Sequence, residues 1–192
     1  MSTFEAIRNR KSVRTYQDKA VEPDKIKAIV EAGNMAAGTP MAGKVYFNVI
    51  TNADVLKAIV DGSKAVMLKS GVPMLEKISA NPNFNPMYGA PVAVVISTDK
   101  ADNPNTAGMA RANAACAGEN ILLAATELEL GSCYLESPTL AFNVPAVAEA
   151  AKIPEGAQPQ AVIVFGYTDD NSPHKEYESN PDNIVYTTTW TN

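Results

Sequence analysis

Residues 89–96 read GAPVAVVI and predict a strand at the centre of a sheet. Every position from Val92 to Ile96 is apolar, so both faces of this strand must be buried. Residues 161–165, AVIVF, predict a second strand of the same kind. Two such strands indicate a sheet whose two faces are both covered by other elements.

The longest predicted helix covers residues 105–130, is rich in Ala and has Gly131 at its C-cap. Its small side chains favour close packing against another helix, in this chain or across a subunit boundary. Residues 63–88 show no clear periodicity. The other expected elements are a helix from a Ser2–Glu5 capping box to Asn9, a helix from Pro23 that stops at Gly33, a strand over residues 46–51, a helix capped by Asn52, a strand over residues 132–135 and two brief helices opened by Pro138 and Pro145.

The composition excludes several classes of partner. The 192 residues are 46% hydrophobic and carry a formal net charge of -5, so neither nucleic acid nor anionic lipid is an expected partner. Two cysteines, Cys116 and Cys133, and the single His174 cannot assemble a zinc site, and no metal is expected. The sequence has no leader-like start and no apolar run long enough to cross a membrane, so we expect a cytoplasmic protein.

Three motifs that would indicate other functions are incomplete or missing. Residues 38–44 match the GxxxxGK part of a phosphate-binding loop, but Val45 occupies the position of the required Ser or Thr. This stretch also follows a predicted helix and precedes a strand, the reverse of the required order. The sequence contains neither the GxGxxG of a dinucleotide fold nor the GxSxG of a serine hydrolase.

The run RKSVR at residues 10–14 follows the first predicted helix. In an extended segment, Arg10, Ser12 and Arg14 would lie on one side, and Lys11 and Val13 on the other. Two guanidinium groups and a hydroxyl are donors that suit a phosphate monoester. A solvated charged face has the same composition, so the residues alone leave both interpretations open.

A series of motifs along nearly the whole chain resembles the nitroreductase family of FMN enzymes. Residues 10–16, RKSVRTY, resemble the opening signature of that family, Arg-x-Ser-x-Arg/Lys-x-Phe/Tyr. The resemblance implies an FMN-dependent oxidoreductase that works as a homodimer. It also implies an α+β sandwich, in which helices flank a mixed central sheet. The further matches, in order, are residues 21–24 at the second helix, 88–92 at the step into the central strand, 120–125 and 130–133 around the exit of the long helix, and 153–156 followed by 162–167 at the last core strand.

The resemblance also implies which residues hold the cofactor. Arg10, Ser12 and Arg14 would bind the FMN phosphate, and Lys11 would contribute its backbone and charge. Because the flavin N5 carries the chemistry, no catalytic side chain is expected, and Glu136 is expected to have a positioning or surface role rather than that of an acid. The segment expected alongside the flavin ring, with a backbone amide near its end donating to N5, consists of Tyr134, Leu135, Glu136 and Ser137.

The sequence departs from the family pattern in three places. In the family, a loop after the second helix carries an Asn and a Gln and reaches the partner's flavin. In this chain the loop lacks both residues, and its expected contacts with the cofactor come from Gly38, Thr39, Pro40 and Met41. In the long helix, Asn113 replaces the usual acidic residue. The C-terminal Arg that completes the phosphate site is absent, and Lys175 is the nearest candidate.

The last residues are expected to form an exchanged arm. Residues 184–190, IVYTTTW, are strand-like by their β-branched and aromatic content, yet they follow a polar stretch. We therefore expect an FMN-binding core at residues 1–167 and a C-terminal arm, residues 168–192, that packs on the other subunit. The resemblance places FMN at the subunit interface.

The expected activity is electron transfer from NADH or NADPH through FMN to a nitroaromatic, a quinone or an enone. One alternative is an FMN carrier or sensor with little turnover, which the altered loop at residues 38–46 would favour. Another is an α/β interaction domain without a cofactor. Absorbance of the purified protein separates the last alternative from the first two.

Overall fold

The computed structural model describes residues 1–170, in which a four-stranded sheet lies between two layers of helices. The strand order is β1-β2-β4-β3, and all three pairings are antiparallel. The two predicted apolar strands, β2 and β4, occupy the centre, so the expected α+β sandwich is confirmed. The strands are β1 (Val45–Ile50), β2 (Val92–Asp99), β3 (Gly131–Leu135) and β4 (Ala157–Gly166).

Helices begin where the sequence supplies a capping side chain or a proline. Ser2 and Glu5 form the predicted capping box, and the Asn52 side chain accepts from the backbone N–H groups of residues 54 and 55. Short 3-10 segments cover Pro40–Ala42 and Ser137–Asn143. The α-helices are α1 (Thr3–Asn9), α2 (Pro23–Asn34), α3 (Ala53–Met67), α4 (Pro73–Ser79), α5 (Pro104–Glu127) and α6 (Pro145–Ala150).

Each face of the sheet has its own core. Val92, Val94 and Ile96 pack with α2 and α5, whereas Ala93 and Val95 belong to the core beneath α3 and α6. All five side chains are at most 1% exposed. The uninterrupted apolar run of β2 thus matches burial on both faces.

Two glycines that the sequence suggested as helix ends have other roles. Gly33 lies inside α2, where a Cβ would be 2.7 Å from Cγ1 of Ile121 on α5. Because glycine has no Cβ, the two helices can pack closely at this point. Helix α5 ends at Glu127, and Glu129, with φ 61°, takes the left-handed position expected for Gly131. Gly131 instead begins β3, packed against Val13.

The outer edge of β3 receives the segment that follows α1. Ser12 forms an isolated parallel bridge with Ser132, and the Val13 N–H donates to the Ser132 carbonyl at 2.9 Å. This bridge is parallel, whereas the pairings among the four described strands are all antiparallel. Farther on, the Gln17 N–H donates to the carbonyl of Tyr167 at 2.9 Å. The chain from Ser12 to Gln17 is therefore fixed beside the sheet at two points.

The predicted C-terminal strand at residues 184–190 and the candidate Lys175 lie outside the described residues. Within residues 1–170, no helix is long and apolar enough to cross a membrane. The same part of the chain contains no group of three or more potential metal ligands.

Candidate cofactor-binding site

The side chains of the RKSVR run alternate as the sequence predicts. Val13 is 2% exposed and packs inward, whereas Ser12 and Arg14 are exposed. The Lys11 ammonium donates to the carbonyl oxygen of Asp170 at 2.6 Å and lies 3.4 Å from its Oδ1 atom. We call Arg10, Ser12 and Arg14 the cradle.

The cations of this run differ in their partners. Arg10 Nε lies 3.5 Å from Oε1 of Glu119 on α5, and Lys11 pairs with Asp170. Within residues 1–170, no carboxylate lies within salt-bridge distance of Arg14, whose Nη1 donates to the Ser12 carbonyl at 3.3 Å. Arg14 is therefore the cation of the three that is best placed to bind an external anion.

Tyr88 contacts Arg14 from a strained turn. The Arg14 guanidinium carbon lies 5.8 Å from the centroid of the Tyr88 ring. Tyr88 has a φ of 58°, a left-handed conformation that costs a bulky residue roughly 1–3 kcal/mol. The other two non-glycine residues with positive φ in the described chain, Glu129 and Lys152, follow the ends of α5 and α6, where this conformation is common.

The open edge of β3 offers hydrogen-bond donors. The Ser132 carbonyl points away from β4, since it accepts from Val13, and by strand alternation the backbone groups of Tyr134 face the same way. The backbone N–H groups of Glu136 and Ser137 have no acceptor among residues 1–170. Four residues of strand span about 13 Å. One edge of β3 thus has a cradle for an anion at one end and two unpaired amide donors at the other.

The side chains of residues 134–137 have separate surroundings. The Tyr134 ring covers Gly118 of α5, and burial raises the pKa of its phenol. Leu135 is buried in the core. The Glu136 carboxylate is exposed, and its backbone carbonyl accepts from the N–H of Thr139 at 2.9 Å and from the hydroxyl at 2.7 Å. Among residues 1–170, Glu136 thus forms its hydrogen bonds through its backbone rather than its carboxylate.

Asn113 fixes the loop at residues 38–43 to α5. Its Oδ1 accepts from the Thr39 N–H and its Nδ2 donates to the Thr39 carbonyl, both at 2.9 Å. Asn113 is 8% exposed, and a Cβ on Gly38 would lie 3.0 Å from its Cγ. A carboxylate could accept but not donate at this position. The departure from the acidic residue of the family therefore has a structural use, which sequence analysis did not foresee.

A second anchor holds the far end of the same loop. Asp99 accepts from the Lys44 N–H and from the Tyr46 hydroxyl, both at 2.8 Å, and the bond from Lys44 is the main reason that its pKa is lowered. Gly43 has a φ of 74° and leaves no space for a Cβ beside Asp99. Between the anchors, the Met41 side chain is 71% exposed. The loop thus presents residues 39–41 to the outside on a fixed backbone.

Two adjoining clefts lie beyond the cradle. One has a volume of about 560 Å3 and includes Tyr16, Leu56 and Met87, and the other has about 660 Å3 and includes Val49 on β1. Neither cleft includes a cradle residue. The residues common to both clefts are Ala20, Val21 and Thr51.

The two cysteines are unpaired. Cys133 is buried near the cradle, and this burial raises the pKa of its thiol. Cys116 is exposed on α5. Neither arrangement indicates an activated thiolate.

Comparison with known proteins assigns the fold to a family. The family model for the nitroreductase family matches residues 7–167. The chain belongs to the nitroreductase family. This confirms the resemblance inferred from the order of motifs, and the match includes both the cradle and β3.

Individual members of the nitroreductase family match over nearly the whole chain. A protein of Methanothermobacter thermautotrophicus with the provisional name NADH dehydrogenase/NAD(P)H nitroreductase is 30% identical over 176 residues, which cover 89% of this chain and 80% of the relative. The crystal structure of a nitroreductase with bound FMN from Bacteroides fragilis is 26% identical, with a TM-score of 0.87 over 98% of this chain and 100% of that one. A nitroreductase from Desulfitobacterium hafniense shares the fold, with a TM-score of 0.81 at 21% identity, over 97% of this chain and 98% of that one.

Proposed function

We propose that this protein is an FMN-dependent oxidoreductase that transfers electrons from NADH or NADPH to an electron-poor small molecule. The observation that carries the proposal is the edge of β3, where, among residues 1–170, Arg14 has no carboxylate partner and the backbone N–H groups of Glu136 and Ser137 have no acceptor. Two relatives support the proposal. The relative from Methanothermobacter thermautotrophicus is named for NAD(P)H nitroreduction, and the nitroreductase from Bacteroides fragilis has bound FMN.

The donor set fits FMN. The cradle suits a phosphate, because guanidinium groups and a hydroxyl donate to its oxygens. The backbone of Glu136 and Ser137 suits flavin N5, because an amide donor polarises this atom without titrating. When bound, the flavin supplies the hydride and electron transfer chemistry. In the proposed site, Gly38, Thr39, Pro40 and Met41 come from the partner subunit, and Lys11, Lys175, Tyr134 and Leu135 complete the contacts.

We also infer a cytoplasmic homodimer with the cofactor at its interface. The exposed side of α5 is lined by small residues, among them Ala112, Ala115 and Cys116, a surface that suits close helix contact. On neighbouring α1, Phe4 is 72% exposed and Ile7 is 48% exposed. The cradle borders this surface through the Arg10–Glu119 pair. Association there would bury apolar side chains and bring the two cofactor sites to the boundary.

The division into a core at residues 1–167 and an arm at residues 168–192 is part of the same proposal. Among the described residues, β1 pairs only with β2, so its outer edge is open, and Val49 at this edge is 43% exposed. The clefts beside this edge offer an apolar surface for the partner's strand at residues 184–190. Extended chain reaches at most about 3.6 Å per residue, so the polar stretch before that strand can cross a subunit boundary.

The test begins with the absorbance of the purified protein and chromatography of the heat-released flavin, where FMN rather than FAD is expected. Oxidation of NADH and of NADPH is then followed with and without an added quinone. Acceptor-dependent turnover supports the oxidoreductase, whereas bound FMN without turnover supports the carrier that the altered loop at residues 38–46 favours. Predominant FAD, or no flavin after supplementation with FMN, would contradict both functions.

A further inference from the structure

We propose that Tyr88 is a positioning residue whose ring holds the Arg14 guanidinium toward the phosphate of the bound cofactor. This inference rests on the proposed function, since Arg14 is assigned there to the phosphate. It adds a residue outside the RKSVR run to the same site.

The first support is the contact between the two side chains. The separation of 5.8 Å between the Arg14 guanidinium carbon and the ring centroid of Tyr88 is within the range of cation–π attraction. An aromatic ring against the face of a guanidinium leaves the N–H donors in the guanidinium plane available to an anion.

The second support is the backbone that presents the ring. Tyr88 and Gly89 have φ values of 58° and 73°, one after the other, in a turn that does not end a helix. The turn is closed by hydrogen bonds from Tyr88 N to the Asn85 carbonyl at 3.0 Å and from Ala90 N to the Met87 carbonyl at 3.1 Å. Met87 is 2% exposed and anchors the turn in the core. A strained aromatic residue held by a buried anchor beside a ligand site is typical of functional preorganisation.

The physical effect is on the entropy of binding. A free arginine side chain has many rotamers, and fixing one of them on a phosphate opposes binding. The Tyr88 ring restricts the guanidinium before the cofactor arrives, so less freedom is lost in the complex. Removal of the ring should therefore weaken cofactor affinity only while Arg14 is present.

The experiment measures the dissociation constant of FMN by fluorescence titration of the cofactor-depleted full-length protein. Tyr88→Leu should weaken binding about three- to tenfold, whereas Tyr88→Phe, which keeps the ring, should remain within about twofold of the parent. In an Arg14→Ala background, Tyr88→Leu should change the constant by less than about twofold, because the two residues act through one contact. This non-additivity separates positioning from a general loss of structure.

Two further variants sharpen the test. Tyr88→Gly removes the ring and relieves the positive φ, so it provides a second ringless protein if Tyr88→Leu folds poorly. Tyr167→Leu is the matched control, since it removes the ring that faces Lys19 at 3.6 Å, outside the cradle, and should leave FMN affinity unchanged. Equal weakening with and without Arg14, or unchanged affinity in both ringless variants, overturns the role of Tyr88. Unchanged affinity in Arg14→Ala alone overturns the assignment of Arg14 itself, and this inference with it.

Discussion

At the scale of single residues, cofactor retention should depend more on Arg14 than on Lys175. Arg14 lies in the cradle without a carboxylate partner among the described residues, whereas Lys175 only approximates a family position. Loss of one charge-assisted contact costs about 1.5–3 kcal/mol, which corresponds to roughly a tenfold or greater rise in the FMN dissociation constant. Flavin fluorescence titrations of Arg14→Ala and Lys175→Ala measure the difference. Equal affinities for the two variants would contradict the assignment.

Sequence analysis could predict which side chains of the RKSVR run face outward because that information is local. Alternation within residues 10–14 separates the polar side chains from Val13 without knowledge of the rest of the fold. Asn113 is hydrogen-bonded to Thr39, which lies 74 positions away in the sequence, and Asp99 is hydrogen-bonded to Lys44, which lies 55 positions away. No local sequence pattern marks such pairs. The contact of Tyr88 with Arg14 is likewise visible only in the folded chain.

At the scale of elements, the anchored loop at residues 38–43 gives a prediction for Asn113→Asp. The introduced carboxylate cannot donate the hydrogen bond that Asn113 Nδ2 gives to the Thr39 carbonyl, and it would place a second oxygen against that carbonyl. The free energy of unfolding should therefore fall by about 1–3 kcal/mol. If the loop contacts the partner's flavin, FMN affinity should fall as well. Thermal melting of the cofactor-free protein and FMN titration report the two effects separately.

The matched control for this prediction is Asn120→Asp on the same helix. Asn120 Nδ2 donates to the Ala32 carbonyl at 3.0 Å, away from the loop. This variant should lower the melting temperature without a change in FMN affinity. A parallel loss of affinity in both variants would indicate general destabilisation rather than an effect of the loop.

The elements that sequence analysis placed well are those with strong local signals. The Ser2–Glu5 capping box, the helix starts at Pro23, Pro138 and Pro145 and the two apolar strands were all found close to their observed positions. Gly33 was misassigned because a glycine that permits close helix packing has the same local appearance as a helix terminator. Residues 63–88 contain the end of α3 and the short helix α4, whose seven residues are too few to show a period.

At the scale of the whole molecule, the proposed dimer predicts a difference between two matched surface substitutions. Ala112 is exposed on α5 within the proposed interface, and Ala65 is exposed on α3, on the other face of the sheet. Ala112→Glu should yield monomers with reduced flavin content, because a buried carboxylate without a partner opposes association. Ala65→Glu should remain a loaded dimer. Sedimentation velocity and the ratio of flavin to protein absorbance check both outcomes.

The same interface predicts the reactivity of the two thiols. Cys133 is 2% exposed, so it should react slowly in any state of the native protein. Cys116 should be protected in the dimer and react quickly in the Ala112→Glu monomer. Labelling with a chromogenic disulfide reagent counts these thiols. A rapidly labelled Cys116 in a dimeric parent protein would place the interface elsewhere.

The exchanged arm is tested by truncation after Thr168. If residues 184–190 pack on the partner's β1 edge, the shortened protein should dissociate more readily, melt at a lower temperature and retain less FMN. The apolar clefts beside that edge would then be exposed to water. A truncated protein that stays a fully loaded dimer with unchanged melting temperature would exclude this role for the arm.

The bridges that fix the cradle have a consequence for protein synthesis. Thr15, just after the cradle, accepts a hydrogen bond from the Thr168 hydroxyl, 153 residues later in the chain, at 2.8 Å. Ribosomes add about 5–20 residues per second, so these partners emerge roughly 8–30 seconds apart. During this interval the nascent chain carries the RKSVR run without the complete sheet edge that positions it. If residues 10–14 bind the FMN phosphate as proposed, flavin loading follows the translation of β4, and newly made chains pass through a cofactor-free stage whatever the supply of FMN.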